Sequence, residues 1–438
     1  MLPALLIEPV SSSKRRHFAE ILREPRTQLQ PSLEDVERRL REVRSYTLDH
    51  LDALASQLKA TLAGRPEVEV TFAADPAQVV KTLREVSGGT NRIAVNKSSV
   101  VTKELVPALI SSDFEIMESY YDELKPFENR FGGYWDLPRV TFESLSESFE
   151  RPVDLMALRR SSIQENGAKD FVGLLGVNAV SASDGAVLFL QHSCNISKVF
   201  EQAKKVILVA GLEKIVRNLD DAIFQTKCMA LFGFEALALD MHSRSGDNPS
   251  IESLPFDVPS QQAVEKIHLV LLDNGRSQML RGRYKELLAC IGCRACARSC
   301  PAYRFLVEDT RWSPREYVYF LGKNPSMEGR LCLQCKTCEA NCPLGIDLPG
   351  MILDAKAELV SKKRRPLTDR VLANAENAER WGSRAPWLAN PLVRSRALRW
   401  MGEKTLAISK ERQLPRLQRK TFAKWFRSEE AKSGRGRQ

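Results

Sequence analysis

Eight of the ten cysteines in this 438-residue chain fall between residues 290 and 342. They form Cys290-x2-Cys293-x2-Cys296-x3-Cys300-Pro301 and, in the same pattern, Cys332-x2-Cys335-x2-Cys338-x3-Cys342-Pro343. Three thiolates at two-residue intervals on one tight loop can take three corners of a cubane iron-sulfur cluster, and the fourth must come from a distance. In two-cluster ferredoxins that remote ligand belongs to the other run. The spacing therefore assigns Cys290, Cys293, Cys296 and Cys342 to one [4Fe-4S] cluster, and Cys332, Cys335, Cys338 and Cys300 to a second. Gly292, Ala295 and Ala297 are small enough for backbone N–H groups to approach the sulfurs, and the proline after each remote cysteine turns the chain away. Structural zinc uses paired knuckles without a third cysteine in step, and disulfides need an oxidising compartment, so both fit the pattern less well. A cubane held by four cysteines keeps no open iron for substrate. The chemistry expected is electron conduction.

Other residues carry weaker signals. Lys97 follows a strand-like run and could meet a carboxylate or a phosphate, although a solvated loop lysine is the commoner identity. Glu213 and Lys214 adjoin another strand end and are candidates for a substrate site or for a structural ion pair, and Ser183 and Asp184 stand in the same position. Asp273 and Arg276 lie where the pattern changes and are expected to pin a domain junction. Cys194 and Cys228 have no partner at ligand spacing and read as ordinary thiols. The histidines, His17, His50, His192, His242 and His268, form no ligand spacing either. There is no GxGxxG after a strand and no GxxxxGK[ST], so neither a dinucleotide fold nor a P-loop is claimed, and no catalytic residue is assigned.

The elements that must hold these residues follow from periodicity. Residues 32 to 63 open on Ser32 with Asp35 three positions later, and Leu and Val then recur at helical spacing, predicting one long amphipathic helix in an N-terminal helical segment, 1–65. From 66 to 276 short strand-like runs at Val68–Phe72, Ile93–Val95, Phe114–Met117, Ala186–Leu190 and Val206–Val209 alternate with helical stretches such as 76 to 86 and 101 to 111. This predicts an α/β domain with a largely parallel sheet. Residues 277–362 read as cysteine loops flanked by helices, including 347 to 362 and some helix between Cys300 and Cys332. That makes the cluster region an α-helical ferredoxin. The remainder, 363–438, is a basic tail. Residues 361 to 438 hold 21 basic and 7 acidic side chains, whereas the whole chain has a net charge of +10, so everything before them is slightly acidic. Four of the six tryptophans, Trp381, Trp387, Trp400 and Trp425, lie in this tail among Arg and Lys, a composition that suits a protein partner better than a nucleic acid. No apolar run approaches the ~20 residues that span a bilayer, and the N-terminal charge order is the reverse of a signal peptide's. A cytoplasmic chain, peripheral at the membrane only through partners, is expected.

Taken together, Asn96-Lys97-Ser98-Ser99-Val100 with Glu104, Gly176 to Gly185, Gly211-Leu212-Glu213-Lys214-Ile215-Val216, Leu272-Asp273-Asn274-Gly275-Arg276 and the two cysteine runs resemble the lactate utilisation protein B family, which joins a LUD domain to a dicluster ferredoxin. The resemblance covers roughly residues 30 to 360. It implies a LUD fold similar to the NagB, ribose-phosphate isomerase and CoA-transferase group. It also implies an electron-transfer role in a three-subunit complex oxidising L-lactate or a related 2-hydroxy acid to pyruvate, beside a cysteine-rich CCG-domain subunit and a second LUD-domain subunit. The alternative is a LUD domain that is itself catalytic on an acyl or phosphorylated substrate, with the clusters as a redox gate. The stretch from Arg412 to Trp425 resembles a segment that leads into CCG domains in related fused chains, which implies that the tail docks that subunit. The chain departs from the family at Ser183-Asp184-Gly185 and at Ser313-Pro314-Arg315-Glu316-Tyr317, where a glycine-rich stretch is usual.

Overall fold

A computed structural model describes residues 5–7, 33–96, 98–118, 170–190, 196–232, 264–298, 300–302, 313–320, 332–362, 367–406, 408–420 and 422–434. The chain divides into two compact units, one ending at Leu353 and the other beginning at Asp354. Ten strands are used below: β1 Leu5–Ile7, β2 Val68–Ala73, β3 Arg92–Val95, β4 Glu115–Glu118, β5 Val172–Gly176, β6 Ala179–Ser181, β7 Val187–Phe189, β8 Lys205–Gly211, β9 Ile215–Val216 and β10 Lys266–Leu272.

Six of them form a parallel sheet in the order β2-β10-β8-β5-β3-β4. Its central strands are apolar on both faces, as a sheet covered by helices on each side requires. In β8, Val206, Leu208 and Ala210 enter one core while Ile207 and Val209 enter the opposite one. In β10, Ile267, Leu269 and Leu271 alternate in the same way with Val270 and Leu272. A smaller sheet runs β1-β7-β6-β9, in which only the β6–β7 pair is antiparallel among the described strands. The largely parallel α/β sheet expected from the alternation of runs is therefore present.

Three expectations need correction. The segment before residue 65 is not purely helical, because Leu5–Ile7, a short aliphatic run, adds a parallel edge strand beside β7. The long helix is two helices, Leu33–Asp49 and Leu51–Ala63, separated at His50. There the backbone opens to φ −122° and ψ 20°, although His50 N–H still reaches Tyr46 O at 3.1 Å. The stretch 101 to 111 begins as a π-helical turn over Val100–Leu105 before a short α-helix, Val106–Ile110. Pro107 has no N–H to donate, and Val106 N–H bonds five residues back to Val101 O, which widens the turn.

The helix at 76 to 86 is found at Pro76–Ser87, capped by Asp75 accepting from Gln78 N–H at 2.9 Å. Leu348–Lys362 is helical, as is Pro314–Phe320 between the cysteine runs. Ser32 and Trp312 lie outside the described residues. In the second unit, helices run over Leu367–Ala373, Ala375–Gly382, Pro386–Arg394, Arg396–Leu406 and Phe422–Gly434. From residue 367 onward Ser383 is the only buried side chain among those described, whereas Trp381, Trp387 and Phe422 are each more than two-thirds exposed. No described helix is long and apolar enough to cross a membrane.

Candidate functional site

Ligands of open parallel sheets gather at the carboxyl ends of the strands, and in this chain buried charge does. Beyond β8 come Glu213 and Lys214 in a single 3-10 turn, beyond β10 come Asp273, Asn274 and Arg276, and beyond β3 the π-helical turn carries Glu104. Asn96 locks β3 to β5 by donating to Gly176 O at 2.8 Å and accepting from Gly176 N–H at 2.9 Å. Arg276 is 1% exposed and lies between two buried carboxylates. It forms ion pairs with Glu213 through Nε and with Glu104 through Nη2 at 2.7 Å, and Nη1 reaches Glu104 Oε2 at 3.0 Å. Asn274 Nδ2 donates to the same Glu104 oxygen at 2.6 Å, and Tyr319 OH at 3.2 Å. Burial alone would raise Glu213, but Arg276, Lys214 and Arg315 outweigh it and hold the carboxyl at about 2. Burial likewise opposes the charge on Arg276, yet Glu213 and Glu104 keep the guanidinium well above its usual value.

Tyr319 comes from the helix Pro314–Phe320, between the two cysteine runs. That helix covers the crevice at the strand ends, and it is anchored at its start. Glu316 accepts from Ser99 Oγ at 2.5 Å and from Ser313 N–H at 2.5 Å, and Arg294 stands 3.7 Å away. The carboxyl stays below its ordinary range because Arg294, Ser99 and Ser313 outweigh its burial.

A second group of cations, buried except for half-buried Lys214, surrounds the first cysteine loop. Arg44, 1% exposed on the helix Leu33–Asp49, donates only to neutral oxygens: Ala289 O at 2.9 Å, Leu288 O at 2.7 Å, Glu213 O at 2.8 Å and Gln225 Oε1 at 2.8 Å. Burial pulls it down to about 10. Lys214 Nζ donates to Ile291 O at 3.2 Å, and burial pulls the ammonium down to about 8. Cys290 thus lies between two peptide carbonyls that hold cations. Arg315 is buried with no hydrogen-bond partner for its Nε among the described residues, its guanidinium 4.9 Å over the Tyr319 ring.

None of the eight cysteines of the two runs is in a disulfide. Gly292, at φ +84°, adopts a conformation that favours glycine, and its N–H points to Cys290 Sγ at 3.3 Å. Thr337 Oγ1 donates to Cys335 Sγ at 3.2 Å and Gln334 Nε2 to Cys332 Sγ at 3.5 Å. The backbone of Arg315 hydrogen-bonds the Cys296 thiol, which burial, then Cys290 and Cys293, push well above its usual value. Burial, then Cys300, Cys332 and Cys335, push Cys338 up to about 12. Cys342 is raised by burial with a further contribution from Cys290. Each remote cysteine therefore lies within electrostatic reach of the opposite run. Among the described residues no group of three His, Cys, Asp or Glu side chains converges as a single metal ion would need.

The other predicted residues have local roles. Asp184 accepts from Ser181 at 2.6 Å, Ser183 at 2.8 Å and the N–H of Ala186 at 3.0 Å, tying the turn between β6 and β7. Cys228 is buried in the core under the helix Leu219–Phe232. His268 is buried in β10, its Nδ1 3.5 Å from Glu69. Lys97, Cys194, His17, His192 and His242 lie outside the described residues. Arg44 and Tyr319 were not singled out from the sequence. Arg44 had a legible signal, since it falls in step with Leu40, Val43, Thr47 and Leu48 on the apolar stripe of its helix, where a cation needs a buried acceptor.

Residues 57–231 match the LUD domain family, and residues 286–346 match the 4Fe-4S dicluster domain family. The chain joins a LUD domain to a 4Fe-4S dicluster domain. It is similar to the lactate utilization protein B of Exiguobacterium sp., with 26% identity over 427 residues, 88% of this chain and 87% of that one. It is also similar to the proteins of that name from Bacillus cereus strain AH820 and Bacillus anthracis strain CDC 684, each 25% identical over 361 residues, 75% of this chain and 73% of theirs. No solved structure matches it.

Proposed function

We propose that the protein is the iron-sulfur electron-transfer subunit of a complex oxidising L-lactate or a related 2-hydroxy acid to pyruvate. Cys290, Cys293, Cys296 and Cys342 would hold one [4Fe-4S] cluster, and Cys332, Cys335, Cys338 and Cys300 a second. The observation that carries this reading is the pair of identically spaced cysteine runs inside the 4Fe-4S dicluster match, and the electrostatic reach of Cys342 to Cys290 and of Cys300 to Cys338 supports the exchange of remote ligands. The donor set fits the group: four thiols per site, polar N–H and O–H groups already aimed at sulfur, and a buried guanidinium N–H without a partner. When bound, such clusters accept and release single electrons. The chain's own residues hold, hydrogen-bond and shield them.

The LUD domain acts in this reading as scaffold. The crevice where an α/β domain would take a ligand is filled by Tyr319 of the chain's own cluster region, and its carboxylates, Glu104 and Glu213, are saturated by Arg276, Asn274 and Tyr319. That argues against the LUD domain as an independent catalyst. The basic, tryptophan-bearing second unit suits docking of a CCG-domain subunit, with a second LUD-domain subunit completing the complex.

Cys300→Ser tests the ligand scheme. The anaerobically loaded variant should lose the EPR signal of the cluster held by Cys332, Cys335 and Cys338 and keep the other. Loss of the Cys290 signal instead means that each run holds its own cluster.

A further inference from the structure

The two cysteine groups differ in their surroundings. Around the first loop five cations, Arg44, Lys214, Arg276, Arg294 and Arg315, face three carboxylates, Glu104, Glu213 and Glu316. All are buried except Lys214, which is half-buried, and Arg294, whose side chain is 22% exposed. Among the described residues these groups therefore sum to two more positive than negative charges in a water-poor setting, where such a surplus is costly unless an anion joins it. Arg44 and Lys214 bring part of it to the carbonyls on either side of Cys290. A cubane with four thiolates is a dianion when oxidised and a trianion when reduced, so this loop is charge-matched to its guest.

Among the described residues the second loop has no such shell. Cys335 is exposed, Leu333 beside it is 62% exposed, and its neighbouring cation, Lys336, stands in solvent 4.0 Å from Glu339. Burial by itself disfavours the more negative reduced state and would lower the potential of the first site. Fixed buried cations act in the opposite direction, and unlike surface lysines they are not screened by water or salt.

We propose that half-buried Lys214, with buried Arg44 and Arg315, forms a cationic collar that holds the cluster at Cys290 at a higher potential than the cluster at Cys332. An electron entering on the solvent side then settles on the LUD side. This rests on the two-cluster reading above.

The test is an EPR-monitored redox titration of the loaded full-length chain, with iron and sulfide analysis. In the wild type, the signal that reduces first should resist broadening by a dissolved gadolinium chelate, and the second should broaden. Lys214→Met should lower the first potential so that the reduced-to-oxidised ratio at fixed ambient potential falls about tenfold, about 59 mV for a one-electron couple. Lys214→Arg should restore it, and Lys336→Met should leave both potentials in place. If the first-reduced signal is the one the chelate broadens, or if Lys214→Met takes up both clusters without a shift, the collar does not set the order. The chelate measurement needs no variant, so it decides the matter even where Lys214→Met fails to fold. Iron and sulfide for one cubane alone would sink the two-cluster reading itself, an outcome distinct from two clusters in the wrong order.

Discussion

At the scale of residues, the centre of the molecule is Arg276 and the two carboxylates that share it. Removing one partner of a buried pair leaves the other charge uncompensated, which typically costs about 3–5 kcal/mol. Glu213→Gln should therefore lower the unfolding midpoint of the loaded chain strongly in thermal or denaturant melts, whereas Lys266→Gln, which breaks an exposed pair with Glu69, should shift it by less than about 1 kcal/mol. The acid limb gives a second check. Glu213 titrates below its unfolded value, so the stability it supplies is complete above the ordinary carboxylate range and is lost as pH falls from there toward about 2. Denaturant midpoints measured from pH 7 down to pH 3 should fall less steeply in Glu213→Gln than in the wild type. An equally steep fall would assign the acid sensitivity to other carboxylates.

At the scale of elements, the site depends on how closely strand ends and turns approach. A Cβ on Gly211, the last residue of β8, would run into the carboxylate of Glu213 and the guanidinium of Arg276. Gly211→Ala should destabilise by about 1–3 kcal/mol, as overpacking does. Gly402→Ala, on a helix with nothing within 4 Å of the added methyl, should stabilise by about 0.5–1 kcal/mol. Calorimetry of the two variants side by side measures both. Much of this level was legible in the sequence. The cysteine spacing, the alternation of strands and helices, and the motif residues Glu104, Glu213 and Arg276 all follow from pattern. What escaped did so for physical reasons. β5, at the middle of the large sheet, reads Val-Gly-Leu-Leu-Gly, and its glycines dilute the apolar signal. Yet those glycines are required, because Val199 packs on Gly173 and Ser98 on Gly176. The π-helical turn bearing Glu104 and the break at His50 both keep helical periodicity, so no window of sequence distinguishes them from ordinary helix. Tyr319 acquires its role only through a contact 215 residues away in sequence.

At the scale of the whole molecule, the two units have different constitutions. The first has continuous cores, one of which joins Val36, Leu40 and Val43 to Ile291 and partly buried Cys293. The second exposes its tryptophans and leaves most of its cationic charge in solvent. Truncation after Lys362 should thus leave iron content and EPR signals unchanged while abolishing co-purification of the proposed CCG-domain subunit. In the full chain that capture should weaken as salt rises. Iron loss with an unchanged partner yield would reverse the roles given to the units. Stripping iron by anaerobic chelation should lower the melting temperature of the first unit, because its surplus buried positive charge then lacks an anion.

Arg44 also sets a timetable. Its acceptors at Leu288 and Ala289 follow it by 244 and 245 residues, so during synthesis the first long helix leaves the ribosome with a guanidinium that nothing yet emerged can satisfy from that end. Two of the four acceptors of that side chain are therefore missing until the first cysteine loop has been translated. Completion of this buried hydrogen-bond set and emergence of the first cysteine loop thereby fall at the same late point of synthesis.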